Sequence, residues 1–236
     1  MEIILSAIIF FFLLLGIFEF QVHHKHLSNI PIRIHVNGSR GKSSVVRLIA
    51  SGLRAGGLKT FAKTTGTSPR IIDQNGNDKY IHRLRTASIG EQIALIRYFS
   101  KMNPDVLVIE CMAVNPQYQW ISEQKIVKST IGVLTNVRPD HLDEMGISTD
   151  QITKSMSNTI PFNGIMVTSE DKKINILNEI SKSRNTELYI ANSYGKYENK
   201  EELNDDECYF LKYEDGSVAG VCNMQQKIFG MMPHPE

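Results

Sequence analysis

Apolar positions alternate between two periodicities from about residue 31 onward. Short, nearly continuous apolar runs, typical of buried strands, are followed by stretches in which apolar residues recur every three to four positions, typical of helices. The predicted strands are residues 32–36, 58–63, 106–110, 130–135, 165–168 and 188–191. The predicted helices are residues 42–55, 91–102, 118–127, 149–158 and 172–183. This alternation predicts an α/β fold with a mostly parallel sheet and helices on both faces.

The N-terminal segment has a different pattern. Residues 3–18 are apolar on every side of a helix, with only Ser6 and Gly16 interrupting, and Glu19 closes the run. With its flanking residues such a helix can cross a bilayer, so we expect a single-pass anchor in the cell membrane over residues 1–20. The basic stretch 23–26 and Arg33 follow it, which places the rest of the chain in the cytoplasm. A cleaved signal peptide and a buried core helix are the alternatives.

Composition narrows the classes of function. The 26 Lys and Arg against 25 Asp and Glu give a net charge of +1, so no global field favours nucleic acid as a partner. The cysteines, Cys111, Cys208 and Cys222, are too widely spaced to suggest a metal clip or a disulfide framework. Residues 193–236 begin with a polar, charge-rich stretch, and we expect a linker followed by an atypical tail.

The strongest chemical signal follows the first strand. Residues 37–43 read N-G-S-R-G-K-S and open a helix. Glycines let backbone N–H groups turn toward a phosphate, the helix N-terminus favours negative charge, and lysine and serine provide a cation and a Mg²⁺ ligand. The pattern predicts a loop that binds ATP with Mg²⁺ through Gly38, Ser39, Arg40, Gly41, Lys42 and Ser43.

Polar side chains follow three other predicted strands. Glu110 ends the run V-L-V-I, Asn136, Asp140 and His141 follow the strand ending at residue 135, and Thr65 follows the strand ending at residue 63. Since ligands of open α/β sheets sit at the carboxyl ends of the strands, these residues are candidates for one site. A carboxylate such as Glu110 is an oxygen ligand suited to Mg²⁺. Taken singly, each is also compatible with a solvated strand end, a polar loop or a simple turn.

Four stretches together carry a resemblance to a known family. The short G-x-x-G-K-S loop, T-T-G-T at residues 64–67, E-C-M-A-V-N-P at 110–116 and N-V-R-P-D-H-L-D-E-M-G at 136–146 resemble the Mur ligase superfamily, which includes folylpolyglutamate synthase. With the hydrophobic N-terminus, residues 1–192 look most like the ligase subunits of poly-γ-glutamate synthases, PgsB or CapB. The resemblance implies a Mur-ligase central-domain-like, ATP-binding domain over residues 31–192.

This resemblance also implies an activity. Ligases of this type use ATP to activate a carboxylate as an acyl phosphate, here that of glutamate or a poly-γ-glutamate chain, and join it to the amine of the next glutamate. By similarity, Lys42, Glu110 and His141 are catalytic, and Ser43, Glu110 and His141 hold Mg²⁺. Asn136 and Asp140 support the nucleotide, and Thr65 meets the γ-phosphate or metal. Membrane partner subunits of a synthase complex are expected.

The last residues depart from that pattern. Residues 218–236 resemble the end of the glutamine amidotransferase subunit of phosphoribosylformylglycinamidine synthase, with His234 and Glu236 at its catalytic positions. No cysteine lies in the G-x-C-x-G elbow that such chemistry needs, so we expect no glutamine hydrolysis. The chain is expected to be truncated relative to the ligases. The alternatives are a P-loop ATPase or nucleotide-binding subunit that joins nothing, and an amidotransferase fragment.

Overall fold

The computed structural model describes residues 2–66, 68–82, 88–191, 209–212, 218–223 and 228–231. Its α-helices are α1 (Glu2–Ser28), α2 (Lys42–Ala55), α3 (Gly90–Ser100), α4 (Pro116–Ile121), α5 (Leu142–Met145), α6 (Thr149–Met156) and α7 (Ile174–Ser183). The first eight strands are β1 (Ile32–Asn37), β2 (Thr60–Thr64), β3 (Arg70–Ile72), β4 (Asp78–Tyr80), β5 (Val106–Glu110), β6 (Ile131–Leu134), β7 (Ile165–Thr168) and β8 (Glu187–Ile190). Three further strands are β9 (Tyr209–Lys212), β10 (Val218–Asn223) and β11 (Ile228–Met231).

Eight strands form one sheet in the order β4-β3-β2-β5-β1-β6-β7-β8. The neighbours from β2 to β8 are parallel, whereas β3 and β4 pair antiparallel at one edge. The prediction of a mostly parallel sheet is confirmed. The edge hairpin was not foreseen, although its turn carries Asn75 before Gly76, which has a φ of +84°.

Alternate residues of β5 show that the sheet has a core on each face. Val106 and Val108 pack with the apolar side of α2, including Val46. Leu107 and Ile109 pack on the opposite face with α3 and the end of α1. Farther along that face, α6 and α7 cover Leu134 and Met166 in a third apolar cluster. Helices therefore lie on both faces, as the hydrophobic pattern predicts.

Helix α1 is longer than the anchor that the apolar run predicts. It continues through the basic stretch to Ser28, and it is long and apolar enough to cross a membrane. Its apolar part is exposed, whereas His23 and Leu27 near its C-terminus are buried. The helix therefore joins the domain directly, and only residues 29–31 separate it from β1.

Two other regions differ from the sequence prediction. Helix α4 begins at Pro116, two residues earlier than predicted, because the Asn115 side chain accepts a hydrogen bond from Gln117 N and caps it. It continues as a π-helix, Ser122–Val127. In the predicted tail, β11, β10 and β9 form an antiparallel sheet in that order. Cys208, His234 and Glu236 lie outside the described residues.

Candidate functional site

The loop between β1 and α2 lies at the carboxyl edge of the central strand. Gly38 has a φ of +140° and Gly41, the N-cap of α2, has a φ of +78°. A Cβ atom added to Gly38 would lie 2.0 Å from Thr135 Oγ1. The loop thus approaches Thr135, directly after β6, more closely than a side chain at position 38 would allow. Only glycine fits here, and the loop backbone is left open to a ligand.

The end of β6 holds this loop in place. Thr135 Oγ1 donates to Arg40 O at 2.7 Å, and Asn136 Nδ2 donates to the same carbonyl at 3.1 Å. Asn136 Oδ1 accepts from Arg40 N at 3.2 Å. Asn136 therefore shapes the loop from a neighbouring strand, a position consistent with its predicted support of the nucleotide.

Ser39 is engaged in the same scaffold. Its hydroxyl donates to Arg138 O at 2.9 Å and lies 2.8 Å from Arg138 N, which donates to it. Its backbone N donates to Asn136 O at 3.0 Å. The side chain is buried, so its hydroxyl positions the loop against the segment after β6.

The side chain of Lys42 folds back onto the backbone of the glycine loop. Its ammonium donates to Gly38 O at 2.7 Å and to Ser39 O at 3.3 Å. These carbonyls hold the cation at the N-terminus of α2, where the helix dipole also favours an anion. The ammonium group of Lys42 and the dipole of α2 together give this end of the helix a positive potential, which favours binding of a polyphosphate.

Glu110, Ser43 and Thr65 come together beside the loop. Glu110 Oε2 accepts from the Ser43 hydroxyl at 2.7 Å and from Thr65 N at 2.7 Å. The Glu110 side chain belongs to β5 and is buried. Three strand ends thus place a carboxylate and a hydroxyl side by side, the oxygen donors suited to a magnesium ion.

Asp140 and His141 form a separate group before α5. His141 has a φ of +47°, its side chain is 54% exposed, and its Nε2 lies 3.8 Å from Asp140 Oδ1. Asp140 is also 4.0 Å from an Arg40 guanidinium nitrogen. No hydrogen bond links His141 to Ser43 or Glu110, and the described part of the chain contains no cluster of three His, Cys, Asp or Glu side chains suited to a metal. The metal role of His141 stays a prediction.

The site contains polar residues that the motifs did not identify. Thr135 fixes Arg40, and the Glu170 carboxylate accepts from Val137 N at 2.9 Å, holding the loop that carries Asn136. Thr135 could have been found from the sequence, because it is the last residue of the predicted strand 130–135, directly before Asn136. Glu170 could not, because only the pairing of β7 beside β6 brings it there.

A buried charged pair underlies this edge of the sheet. His35 Nδ1, two residues before the loop, lies 2.7 Å from Glu123 Oε2 on the π-helix. Burial lowers the pKa of His35, but the Cys111 thiol and the Glu123 carboxylate outweigh it and raise the pKa to about 10. Within the described residues Nε2 has no hydrogen-bond partner, so the contact of Nδ1 with Glu123 is the one that orients the ring. Glu123 Oε1 also accepts from Ser129 N at 2.8 Å.

A cavity of about 830 Å³ opens beside the loop. Its polar rim includes Arg40, Asn136 and Glu170, and its apolar walls include Leu48 of α2 and Val133 of β6. The loop therefore borders a space between helix and sheet rather than a flat surface.

Sequence comparisons show two curated relatives over most of the chain. The capsule biosynthesis protein CapB of Bacillus anthracis is 38% identical, and the match covers 78% of this chain and 40% of that protein. The PGA synthase CapB of Bacillus subtilis (strain 168) is 39% identical over 77% of this chain and 47% of that protein. The chain therefore spans less than half the length of these relatives.

The fold is shared with solved structures. A bifunctional folylpolyglutamate synthase/dihydrofolate synthase with Mn, AMPPNP and L-glutamate bound matches with a TM-score of 0.55 at 18% identity, over 73% of this chain and 46% of that chain. FolC of E. coli in complex with DHPP and ADP matches with a TM-score of 0.59 at 16% identity, over 92% of this chain and 53% of that chain. These likenesses show the fold.

A short match and a long one point to different families. The phosphoribosylformylglycinamidine synthase subunit PurQ of Campylobacter jejuni is 43% identical over only 25% of this chain and 31% of that protein. The Mur ligase middle domain model, in contrast, matches residues 36–231, most of the chain. The long match contains the loop, the carboxylate of β5 and the segment after β6, and on this ground the chain belongs to the Mur ligase family.

Proposed function

We propose that this protein is an ATP-dependent amide ligase that joins glutamate units during poly-γ-glutamate synthesis. The observation that carries the proposal is the contact of Glu110 with both Ser43 and Thr65 beside the glycine loop, in a chain of the Mur ligase family. The two CapB relatives, named for capsule biosynthesis and as a PGA synthase, support this substrate class.

The loop residues fit a polyphosphate. The backbone around Gly38 leaves no room for a Cβ, and Lys42 lies at the N-terminus of α2. In the proposed reaction the loop amides and the ammonium of Lys42 stabilise negative charge on the transferred phosphoryl group. Arg40 and Gly41 complete the loop, and Thr135 and Asn136, directly after β6, hold Arg40 by hydrogen bonds.

Ser43 and Glu110 also fit a magnesium ion, and His141 is the third proposed ligand. A bound Mg²⁺ supplies charge neutralisation for phosphoryl transfer. The chain's own share is to hold the hydroxyl of Ser43 against the carboxylate of Glu110, and the N–H of Thr65 orients that carboxylate. Asp140 lies 3.8 Å from His141 Nε2 and adds a second negative charge beside the proposed ligand.

The proposed reaction has two steps. A glutamate carboxylate oxygen bonds to the γ-phosphorus of ATP as the bond from that phosphorus to the bridging oxygen breaks, which releases ADP. The amine of the next glutamate then bonds to the acyl carbon, the carbon–oxygen bond to phosphate breaks, and the nitrogen loses a proton. The products are an amide, ADP and phosphate, and no cysteine nucleophile takes part.

We further propose three parts of the chain and a membrane location. Residues 1–20 act as a single-pass anchor, residues 31–192 form the ATP-binding domain on the cytoplasmic side, and residues 193–236 form a linker and tail. The exposed apolar surface of α1 supports the anchor. A product destined for a capsule is consistent with membrane partner subunits.

Replacing Lys42 by Ala tests the proposal. The unaltered chain is expected to release ADP and phosphate, not AMP, in a glutamate-dependent manner, and Lys42→Ala is expected to lose most of this release. Lys154→Ala removes an exposed lysine of α6 and is the matched control. ATP turnover that is indifferent to glutamate would instead identify a P-loop ATPase, and ammonia formed from glutamine would identify an amidotransferase.

A further inference from the structure

Helix α1 has two parts with different surroundings. The large apolar side chains of residues 3–18 are 45–86% exposed. Near the C-terminus, Leu27 is 3% exposed and joins the core cluster that contains Ile96 and Phe99. The first part therefore projects from the domain, and the second part belongs to it.

Hydrogen bonds tie the second part to two other helices. His23 Nε2 lies 2.8 Å from Ile126 O of the π-helix. His26 Nδ1 lies 2.6 Å from the Ser100 hydroxyl at the end of α3. The direction of α1 is therefore fixed relative to the domain by contacts on both sides.

Arg33 clamps the same junction. Its Nη1 donates to Leu27 O at 3.2 Å and to Ile30 O at 2.5 Å. Its Nε donates to Val127 O at 3.2 Å and to Lys128 O at 2.9 Å. One guanidinium group thus binds carbonyl groups at the C-terminal ends of both α1 and the π-helix. These contacts hold the C-terminal part of α1 firmly against the domain, which a flexible linker would not do.

Cations surround the point at which α1 leaves the domain. Lys128 Nζ lies 5.6 Å from the Phe20 ring centroid and 3.1 Å from His24 Nε2. Arg97 of α3 forms an ion pair with Glu19. Lys25 and Lys101 are exposed. Lys25 directly precedes His26, and Lys101 directly follows Ser100, whose hydroxyl lies 2.6 Å from His26 Nδ1. Because Glu19 already neutralises Arg97, we call the three lysines Lys25, Lys101 and Lys128 the basic collar.

The collar lies at the height of lipid headgroups when α1 spans a bilayer. The apolar residues 3–18 extend for ~24 Å at ~1.5 Å per residue, close to the ~30 Å of the hydrocarbon layer. The membrane surface then meets α1 near Glu19, one residue before Phe20. Anionic lipid headgroups attract lysine and arginine side chains at this level.

We propose that the basic collar binds the headgroups of anionic phospholipids and so fixes the orientation of the catalytic domain on the membrane. This inference rests on the anchor role of α1 in the proposed function. The positive charge of the collar is a local feature, since the chain as a whole has a net charge of only +1. The ends of α3 and the π-helix thereby form a membrane-facing surface of the domain.

Crosslinking to lipid tests this proposal in the full chain. The protein is reconstituted in phosphatidylcholine vesicles that contain phosphatidylglycerol with a photoactivatable headgroup. Crosslinked residues are mapped by mass spectrometry after digestion with a protease that does not cut at lysine. The collar variant Lys25→Gln/Lys101→Gln/Lys128→Gln is compared with Lys79→Gln/Lys154→Gln/Lys182→Gln, which removes three exposed lysines elsewhere.

We expect crosslinks within residues 97–101 and 124–129, a yield lower by about tenfold in the collar variant, and an unchanged yield in the control. Crosslinks spread evenly over the domain, or a yield unaffected by the collar variant, would overturn the proposal that the collar binds lipid. The proposed anchor role of α1 would not be contradicted by either result. Extraction of the unaltered chain from vesicles by alkaline carbonate would refute the anchor and the collar together. ATP binding in detergent is measured in parallel and depends on neither.

Discussion

Gly38 illustrates how much of the site depends on one absent side chain. Alanine at this position would bring a Cβ to 2.0 Å from Thr135 Oγ1 in a backbone conformation with φ of +140°. We expect Gly38→Ala to lose ATP binding and to lower the free energy of unfolding by roughly 1–3 kcal/mol. Isothermal titration and urea unfolding measure the two effects.

Gly52 provides the matched control. It lies on the exposed face of α2, and a Cβ there would meet no atom of the described residues within 4 Å. Gly52→Ala should raise the unfolding free energy by roughly 0.5–1 kcal/mol, because alanine favours the helix, and should leave ATP binding unchanged. Equal effects of the two substitutions would contradict the role assigned to Gly38.

Because of His35, the free energy of unfolding is expected to depend on pH. Its pKa is raised from 6.5 to about 10 in the folded protein, so its stabilising contribution is complete below pH 6.5 and is lost as the pH rises through about 10. The difference in unfolding free energy between the unaltered chain and His35→Gln should therefore shrink across this range. Chemical denaturation at several pH values measures it.

Exposed His82 is the control for this experiment. His82→Gln should give a difference from the unaltered chain that does not follow the same decline. A His35→Gln difference that stays constant from pH 6.5 to 10 would contradict the charged pair with Glu123.

The residue types of the site could be predicted from sequence better than their contacts. The strand-end rule indicated that Glu110 and Ser43 share one edge, and the structure places their side chains 2.7 Å apart. The partner of the Ser39 hydroxyl could not be predicted, because Arg138 is 99 positions away and only the pairing of β1 with β6 brings it close.

At the scale of elements, Arg33 connects α1 to the domain. Arg33→Gln removes a guanidinium that donates to four carbonyl groups, and loss of such a charged donor costs roughly 1.5–3 kcal/mol. We expect faster hydrogen exchange in residues 20–28 of this variant. Arg47→Gln breaks only an exposed pair with Asp78 and should leave that exchange unchanged, whereas equal exchange in both variants would argue against the clamp.

The long elements follow from hydrophobic periodicity, and the short ones do not. Each predicted strand and helix of residues 31–191 has a counterpart in the structure; α2, β5 and β7 have the predicted ends, and the others, with α4 and the π-helix taken together, have ends shifted by one or two residues. Strands β3 and β4 have three residues each, too few to establish a period of two. The π-helix after α4 has the same apolar spacing as an ordinary helix, so only hydrogen bonding distinguishes it.

At the scale of the whole molecule, the two parts of α1 predict different effects of truncation. If α1 is an anchor as proposed, deleting residues 2–18 should release the protein from membranes. It should change the unfolding free energy by less than about 0.5 kcal/mol, because the large apolar side chains of those residues are exposed and lie outside the core. Deleting residues 2–28 also removes Leu27 from the core, which alone costs roughly 1.5–3 kcal/mol.

Centrifugation with membranes and thermal unfolding in detergent check both truncations. If the shorter deletion destabilised the domain as much as the longer one, the division of α1 into a projecting and a docked part would be wrong.

The position of β1 also sets the distance between the docked part of α1 and the glycine loop. Three residues separate this strand from the docked helix, and the strand ends at the glycine loop. Its six residues span about 20 Å at ~3.3 Å per residue. A paired strand is stiff, so the glycine loop stays at a fixed distance from the docked part of α1, whereas a flexible stalk would let that distance vary. If α1 anchors the chain as we propose, a partner that takes up the polymer would need its entrance at a height that matches this fixed distance.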